Sequence, residues 1–196
     1  MRSSAASDVY KRQNGYRLTG NEKYKQVLLK GAESLSTRYK DHIGVIRSWD
    51  FNRAVWQYPV IIDNMMNLEL LEWASKNSDN SRFAAIARSH ADVTLKNHFR
   101  ADYSCWHVVS YDTITGQPEK KHTRQGYSHE SSWSRGEAWA LYGYVMMYRE
   151  TQQKHYLVHA KKVANYILTH PRMPEDGIPY WDYDAPDIPV SYTHLT

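Results

Sequence analysis

The chain has 196 residues, which is enough for one domain with a hydrophobic core, and its net charge is +4. It has no basic run or stripe of the kind that nucleic-acid binding requires, and no apolar run of about 18 residues that would predict a transmembrane helix. Cys105 is the sole cysteine, so an internal disulfide is excluded. We interpret Cys105 as a small buried hydrophobic residue rather than a nucleophile, because no base motif lies near it.

Both ends of the sequence are predicted to be foreign. Residues 8–13 (Asp-Val-Tyr-Lys-Arg-Gln) can be encoded by GATGTGTATAAGAGACAG, and the reverse complement of that DNA encodes Val-Ser-Tyr-Thr-His, which is found at residues 190–194. This resembles translated sequencing-adapter DNA at each end of a gene fragment. We therefore expect residues 14–189 to be native and residues 1–13 and 190–196 to be adapter sequence. The first 13 residues carry three basic side chains and one acidic one, a net +2, so the sequence pI of 9.0 overstates any attraction to polyanions.

Two kinds of predicted helix alternate along the chain. Residues 21–38, 80–97 and 153–169 each have one apolar stripe, whereas residues 58–74 and 132–149 are apolar on most faces. A helix with one apolar stripe lies on the outside of a fold, and a helix that is apolar all round is covered on several sides. The alternation predicts two concentric layers of helices.

The stretch between the last two helix pairs has a different pattern. Residues 104–112 are rich in β-branched and aromatic side chains and are followed by the turn sequence Thr-Gly-Gln-Pro at 115–118. We predict a short β-hairpin near residues 104–120, inserted between helices.

The segment from Gln125 to Trp139 is the most informative part of the sequence. It reads Gln-Gly-Tyr-Ser-His-Glu-Ser-Ser-Trp-Ser-Arg-Gly-Glu-Ala-Trp and opens an otherwise apolar helix. The charged Arg135 is costly at the mouth of a buried helix unless an anion or a hydrogen-bonding group meets it. An arginine flanked by two indoles is typical of a pocket for a ring that carries a carboxylate.

This segment, together with Pro-Glu-Asp-Gly-Ile-Pro-Tyr-Trp-Asp-Tyr-Asp-Ala-Pro at 174–186, resembles glycoside hydrolase family 88, the unsaturated glucuronyl hydrolases. The resemblance covers residues 14–189. It implies an all-α, incomplete (α/α)6 toroid with about three of six helix pairs. The string at 180–184 also has a plain interpretation as a packed loop between helices.

The resemblance implies that Asp63 is the acid–base catalyst. The residues themselves place Asp63, Asn64 and Asn67 as a polar stripe on an apolar helix, where a carboxyl group is partly desolvated and has a raised pKa. The alternative is that Asp63 only favours the N-terminal end of the helix that follows Pro59.

The resemblance also implies a set of substrate-binding residues, and each has a plainer alternative. Trp133 and Trp139 could instead be ordinary aromatic residues of the core. Arg135 could instead form an ion pair with Glu130 or Glu137, and His107 could be a surface histidine. Glu137 has capping-box spacing from Ser134. The implied substrate-binding residues are His107, Gln125, Trp133, Arg135, Trp139 and, as a further pocket wall, Trp49.

The sequence departs from the family at three points. Glutamine is more usual where Glu137 stands, so Glu137 adds a negative charge near a site for an anion, and an acidic residue is more usual where His129 stands. A second important aspartate of the family falls in or before residues 1–13. We therefore expect the chain as written to be inactive and poorly soluble.

The family's reaction is hydration of the C4–C5 double bond of an unsaturated uronic acid at the end of an oligosaccharide, which releases a 4-deoxy-5-keto-uronate. We expect no cofactor and no metal, since His155 and His159 share a helical face without a third ligand. The expected partner is an unsaturated uronate-terminated oligosaccharide, not a nucleic acid or a membrane. The alternatives are an unsaturated rhamnogalacturonyl hydrolase acting on pectin fragments and a non-catalytic glycan-binding α-toroid.

Overall fold

The computed structural model describes residues 4–186, with side chains from residue 12 onward. Helices dominate, and short strands lie between them. In chain order the elements are α1 (Ser4–Thr19), α2 (Glu22–Ser36), β1 (Tyr39–Lys40), β2 (Val45–Ile46), β3 (Pro59–Ile61), a 3-10 helix (Ile62–Asn67), α3 (Leu68–Lys76), α4 (Arg82–Asn97), β4 (Val108–Tyr111), β5 (Pro118–His122), α5 (Ser134–Thr151) and α6 (Lys154–Thr169).

The helices form consecutive pairs in two layers. Helix α1 packs on α2, α3 on α4, and α5 on α6, while the 3-10 helix and α3 also pack on α5. The shared core takes Leu28 from α2, Leu71 from α3, Tyr144 from α5 and Tyr156 from α6, all fully buried. Helix α5 is therefore covered on two sides and α6 on one, as their apolar patterns predicted.

The predicted adapter segments meet the described structure only in part. Helix α1 begins at Ser4 and runs across the boundary expected between residues 13 and 14. Residues 1–3 and 187–196, including the whole of 190–196, lie outside the described residues. The foreign origin of the two ends stays a prediction.

The predicted helix over residues 58–74 is wrong in its first half. Residues 59–61 form strand β3, and the regular helix begins only at Leu68, after the 3-10 turn. The reason is a partner distant in sequence: β3 pairs antiparallel with β4, with Pro59 opposite Ser110 and Ile61 opposite Val108. An apolar run alone cannot distinguish a buried strand from a helix.

The predicted hairpin is confirmed and gains a third strand. Strands β4 and β5 pair antiparallel from Val108 opposite His122 to Tyr111 opposite Pro118, and β3 joins β4 on its other edge. Gly116 closes the turn with φ +70°, and a Cβ atom there would lie 2.5 Å from the carbonyl oxygen of His42, so only glycine fits.

Helix α5 approaches the 3-10 helix closely because Gly143 has no side chain. A Cβ atom on Gly143 would lie 2.4 Å from the Cβ of Met65, which is buried two residues after Asp63. We expect Gly143→Val to lower the free energy of unfolding by about 1–3 kcal/mol through overpacking. Urea unfolding of the full-length protein checks this. Ala138→Val is the matched control, since Ala138 is exposed on the same helix, and equal stabilities of the two variants would contradict the prediction.

Candidate active site

Asp63 lies in the first turn of the 3-10 helix, and its carboxyl group is mostly buried, with 21% of the side chain exposed. Burial raises its pKa to about 6; the Asp63 backbone amide and the Arg135 charge oppose that rise. Its Oδ2 atom is buried and has no hydrogen-bond partner among the described residues. Asp63 does stand at the start of a helix, as the alternative interpretation proposed. Desolvation nevertheless has the larger effect on its pKa, so the carboxyl group can hold a proton near neutral pH.

Asn64 does not share an open polar face with Asp63, as the expected polar stripe required. The Asn64 side chain is buried and donates to the carbonyl oxygen of Ile46, 2.8 Å away. Adjacent residues of a 3-10 helix are about 120° apart around its axis, so Asp63 and Asn64 point to different sides. Asn64 thus fixes the 3-10 helix to strand β2.

His107 is buried beside Asp63, so the interpretation of a surface histidine is wrong. Its carbonyl oxygen accepts from the backbone N–H of Ile62 at 2.9 Å, which continues the β3–β4 pairing and brings the ring to the 3-10 helix. The ring atom Nε2 lies 3.6 Å from Asp63 Oδ2. Burial, followed by the charges of Arg135 and Arg124, lowers the pKa of His107 to about 4, so the ring is neutral at neutral pH.

The proton of the neutral His107 ring is fixed by Gln125. The backbone N–H of Gln125 donates to His107 Nδ1 at 3.2 Å, so Nδ1 is the acceptor and the ring proton is on Nε2, the atom that faces Asp63. The Gln125 side-chain nitrogen is 3.4 Å from the same Nε2, but it is a donor too, so in this tautomer the contact is not a hydrogen bond. Asp63, His107 and Gln125 therefore form one polar cluster.

Arg135 and Trp133 complete this cluster at the start of α5. The Arg135 Nη2 atom donates to Gln125 Oε1 at 2.9 Å, and its guanidinium lies over the Trp133 ring, 4.6 Å from the centroid. The buried Trp133 ring also packs against His107, with centroids 4.6 Å apart. Among the described residues no carboxylate is within ion-pair distance of Arg135, so the alternative of an ion pair with Glu130 or Glu137 is not seen there. A cation on an aromatic wall can receive a carboxylate and a sugar face.

No protein-family model matches the sequence. The chain is 51% identical over 168 residues to the unsaturated glucuronyl hydrolase of Formosa agariphila, covering 86% of this chain and 42% of that protein. It is similar to the crystal structure of an unsaturated glucuronyl hydrolase specific for heparin, with 49% identity and a TM-score of 0.86 over 89% of this chain and 46% of that one.

The chain belongs to the unsaturated glucuronyl hydrolases, glycoside hydrolase family 88. A further structure, that of a variant of the unsaturated glucuronyl hydrolase of Streptococcus agalactiae complexed with dGlcA-GalNAc6S, is 29% identical with a TM-score of 0.67 over 91% of this chain and 47% of that chain. The chain spans less than half the length of these relatives. The predicted fold class, about half of an (α/α)6 toroid with a small hairpin, is confirmed.

Two residues expected to bind substrate in this family lie apart from the cluster in their described contacts. Trp49 packs in an aromatic group with Phe51 and Trp56, at centroid distances of 5.9 and 5.8 Å. Trp139 contacts Tyr142 one turn further along α5, at 6.4 Å. Trp133 precedes α5 as its cap residue, and Trp139 follows Arg135 by four residues, on the same side of the helix. The roles of Trp49 and Trp139 as pocket walls stay predictions.

Glu137 does not cap α5. The cap residue is Trp133, without a side-chain cap bond, and the fully buried Glu137 Oε1 accepts from the backbone N–H of Cys105 and the hydroxyl of Ser132, both at 2.7 Å. Burial raises the pKa of Glu137 to about 7, against the opposing effect of these hydrogen bonds. The negative charge expected near the anion site is therefore partly neutralised near pH 7. Burial also raises the pKa of the Cys105 thiol, as expected for a buried hydrophobic residue.

Glu137 makes stability depend on pH. Its pKa is higher in the folded protein, about 7, than its usual 4.5, so the folded state binds more protons between these values and stability falls as the pH rises from 4.5 to 7. The resulting decrease in the free energy of unfolding that is due to Glu137 is about 3 kcal/mol. We expect Glu137→Gln to flatten this slope, measured by urea unfolding across that range. The exposed Glu33→Gln control should keep it, and a slope unchanged in Glu137→Gln would contradict the prediction.

Histidines elsewhere have structural contacts. His155 Nε2 lies 3.1 Å from Asp92 Oδ1, and His159 packs on Phe99 and Tyr144. His129 is exposed and stacks near His122, with ring centroids 4.0 Å apart. Over the described part of the chain, no three His, Cys, Asp or Glu side chains are grouped to hold a metal ion. None of the helices in that part is long and apolar enough to cross a membrane.

The segment at 180–184 is more than a packed loop. Asp182 is fully buried and forms a backbone bridge with Trp133, so this segment lies directly behind the site. Sequence reasoning did not assign it a role. The available signal was an aspartate within the aromatic string Tyr-Trp-Asp-Tyr, where a charged group is buried only if hydrogen bonds compensate it.

Proposed function

We propose that the full-length protein containing residues 14–189 hydrolyses unsaturated glucuronyl oligosaccharides, and that this chain supplies its acid–base carboxyl group and part of its substrate pocket. The observation that carries the proposal is the Asp63 carboxyl group. It is buried, its pKa is raised to about 6, and its Oδ2 atom has no hydrogen-bond partner among the described residues. A group that protonates and deprotonates near neutral pH suits both halves of an acid–base reaction.

The reaction consumes one water molecule. Protonated Asp63 donates its proton to C4 of the vinyl ether, water adds at C5, and the Asp63 carboxylate accepts the proton of that water. The hemiketal at C5 opens by cleavage of its bond to the ring oxygen, which leaves a ketone at C5 and a hemiacetal at C1. Collapse of the hemiacetal releases the neighbouring sugar. One carboxyl group is enough for this chemistry, unlike the carboxylate pair of ordinary glycosidases.

The surroundings of Asp63 suit the developing charge and the substrate. The Nε2–H of neutral His107 faces the Asp63 carboxyl group at 3.6 Å and is placed to stabilise it as a carboxylate. Arg135 on the Trp133 ring offers a cation to the uronate carboxylate and an indole face to the sugar. The structure of a relative complexed with dGlcA-GalNAc6S supports an unsaturated disaccharide from a glycosaminoglycan as the substrate class.

The test is loss of the ultraviolet absorbance of the double bond when the full-length protein meets an unsaturated glycosaminoglycan disaccharide. Turnover of that disaccharide, and not of an unsaturated rhamnogalacturonyl disaccharide, is the expected result. Turnover of the rhamnogalacturonyl disaccharide alone would show that the protein is an unsaturated rhamnogalacturonyl hydrolase. Binding without turnover of either would establish a glycan-binding module instead.

The pH dependence of kcat/KM follows from Asp63. The free enzyme must hold the proton on Asp63, so kcat/KM is expected to fall as the pH rises through about 6, by about tenfold per pH unit beyond it. A steady-state pH profile of the full-length enzyme measures this. A kcat/KM that rises through the same range would show that the reaction needs the Asp63 carboxylate from the start.

A further inference from the structure

The loop of residues 123–133 holds the cluster together but has no regular secondary structure of its own. It joins β5 to α5, carries Gln125, and ends at Trp133. The backbone N–H of Gln125 determines which nitrogen of the His107 ring carries the proton. The side-chain oxygen of Gln125 accepts a hydrogen bond from Arg135. The course of this loop therefore determines the geometry of the site, and some other part of the molecule must fix it.

Asp182 makes the contacts that fix the loop. Its Oδ2 atom accepts from the backbone N–H of Tyr127 at 2.9 Å and from the hydroxyl of Ser131 at 2.7 Å. Its Oδ1 atom accepts from the backbone N–H of Asp184 at 2.9 Å. Among the described residues no cation lies within ion-pair distance of this fully buried carboxylate. Its burial is thus compensated by hydrogen bonds, two of them from the loop.

Gly126 shows how closely the loop lies on this carboxylate. A Cβ atom on Gly126 would lie 2.4 Å from Asp182 Oδ2, 2.5 Å from a methyl carbon of Thr123 and 2.9 Å from the Ser131 hydroxyl oxygen. The backbone immediately after Gln125 is therefore pressed against Asp182, and any side chain at Gly126 would displace it.

We propose that Asp182 is a positioning residue for the active site, which acts through the 123–133 loop to hold Gln125 against His107 and Arg135. This rests on the proposed function. Asp182 is not placed to touch substrate in this role. Its loss changes the rate because Gln125 no longer holds Arg135 where the guanidinium meets the uronate carboxylate, and small displacements of such groups are costly.

The test is a double-mutant cycle in the full-length enzyme. Asp182→Asn keeps the shape but replaces one accepting oxygen with a donor, and we expect it to lower kcat/KM about ten- to a hundredfold, mainly through KM. In a Gln125→Ala background the same substitution should cost little more, since Asp182 acts through the Gln125 side chain, which is then already absent. Additive losses, or an unchanged kcat/KM in folded Asp182→Asn enzyme, would overturn the proposal.

Two further variants guard against misfolding. Ser131→Ala removes one hydrogen bond to Asp182 with little change of volume, and Gly126→Ala pushes the loop from the carboxylate. Both should lower kcat/KM in the same direction, and wild-type values in both would overturn the proposal. The control is Asp112→Asn: Asp112 Oδ1 likewise accepts three hydrogen bonds, but within its own hairpin turn, and kcat/KM should be unchanged.

Amide hydrogen exchange separates this proposal from the proposed function. Asp182→Asn should speed exchange at Tyr127 and Ser128 and leave β4 unchanged, whatever the enzyme turns over. If the unaltered protein cleaves no unsaturated disaccharide but the loop amides respond, the proposed function fails and the loop contact stands. Unchanged exchange at Tyr127 would overturn the positioning role even in an active enzyme.

Discussion

Replacing Asp63 with asparagine in the full-length enzyme is expected to lower kcat by about a thousandfold while the KM for an unsaturated disaccharide changes little. The amide has almost the same shape but cannot donate an acidic proton to C4 or accept one from water. General acid–base groups typically contribute about 10² to 10⁴ in rate. The buried Oδ2 atom has no other described hydrogen bond whose loss would disturb the fold. The measurement is the initial rate of absorbance loss over a range of substrate concentrations.

A matched carboxylate tests whether this loss is local. Asp92 on helix α4 also faces a histidine, at 3.1 Å, but it is half exposed and its described partners, His155 and Tyr156, are both on α6. Asp92→Asn should retain wild-type kcat. An Asp63→Asn enzyme with near-normal kcat and a higher KM would show that Asp63 binds substrate and that another group moves the proton.

Replacing Arg135 with methionine is expected to raise KM for the same disaccharide by about ten- to a hundredfold. A hydrogen bond to a charged group contributes about 1.5–3 kcal/mol, and Arg135 has no described carboxylate partner in the protein that would otherwise engage its charge. Methionine keeps an unbranched apolar stem but removes the guanidinium that lies over Trp133. Kinetics at saturating and limiting substrate separate the KM effect from kcat.

The same variant should also shift the pH profile. The Arg135 charge lowers the pKa of Asp63, so its removal raises that pKa and moves the alkaline fall of kcat/KM above about 6. Arg149→Met is the control, because Arg149 is exposed at the other end of α5 and pairs with Glu69. A KM equal to that of the control, or an alkaline limb that moves downward, would show that Arg135 does not face the uronate carboxylate.

The parts of the fold that sequence reasoning predicted correctly are those encoded by local pattern. The single apolar stripe of residues 80–97 and the all-round apolar pattern of residues 132–149 specify how many sides of each helix are covered. The β-branched run before Thr-Gly-Gln-Pro specifies a hairpin. These features depend on neighbours within about two turns of the chain, so the periodicity is sufficient.

The parts that were missed depend on partners distant in sequence. Residues 59–61 became a strand because β4, about fifty residues later, offered an open edge. The resemblance placed His107 and Gln125 at the site, but their hydrogen bond and the histidine tautomer need coordinates. Spacing from Ser134 offered capping as an alternative role for Glu137, which instead accepts from the N–H of Cys105, since capping-box spacing carries no information about a competing donor.

The candidate site shows the same division. A buried carboxyl group at Asp63 could be predicted from an aspartate within an apolar segment, although that segment forms a 3-10 helix there and not the predicted α-helix. The contacts by which Asp182 supports the loop could not be predicted from the sequence, because the bond between residues 127 and 182 spans 55 positions.

The most direct test of the account uses a substrate in which the glycosidic oxygen of an unsaturated disaccharide is replaced by a methylene carbon. Such a carbon-linked analogue cannot be hydrolysed at its linkage, but its vinyl ether can still be hydrated. If Asp63 protonates C4, the full-length enzyme will remove the double-bond absorbance of this analogue without releasing a sugar, and Asp63→Asn enzyme will not. If the enzyme cleaves the natural disaccharide but leaves the absorbance of the analogue unchanged, the reaction takes place at the anomeric carbon, and the mechanism assigned to Asp63 is wrong.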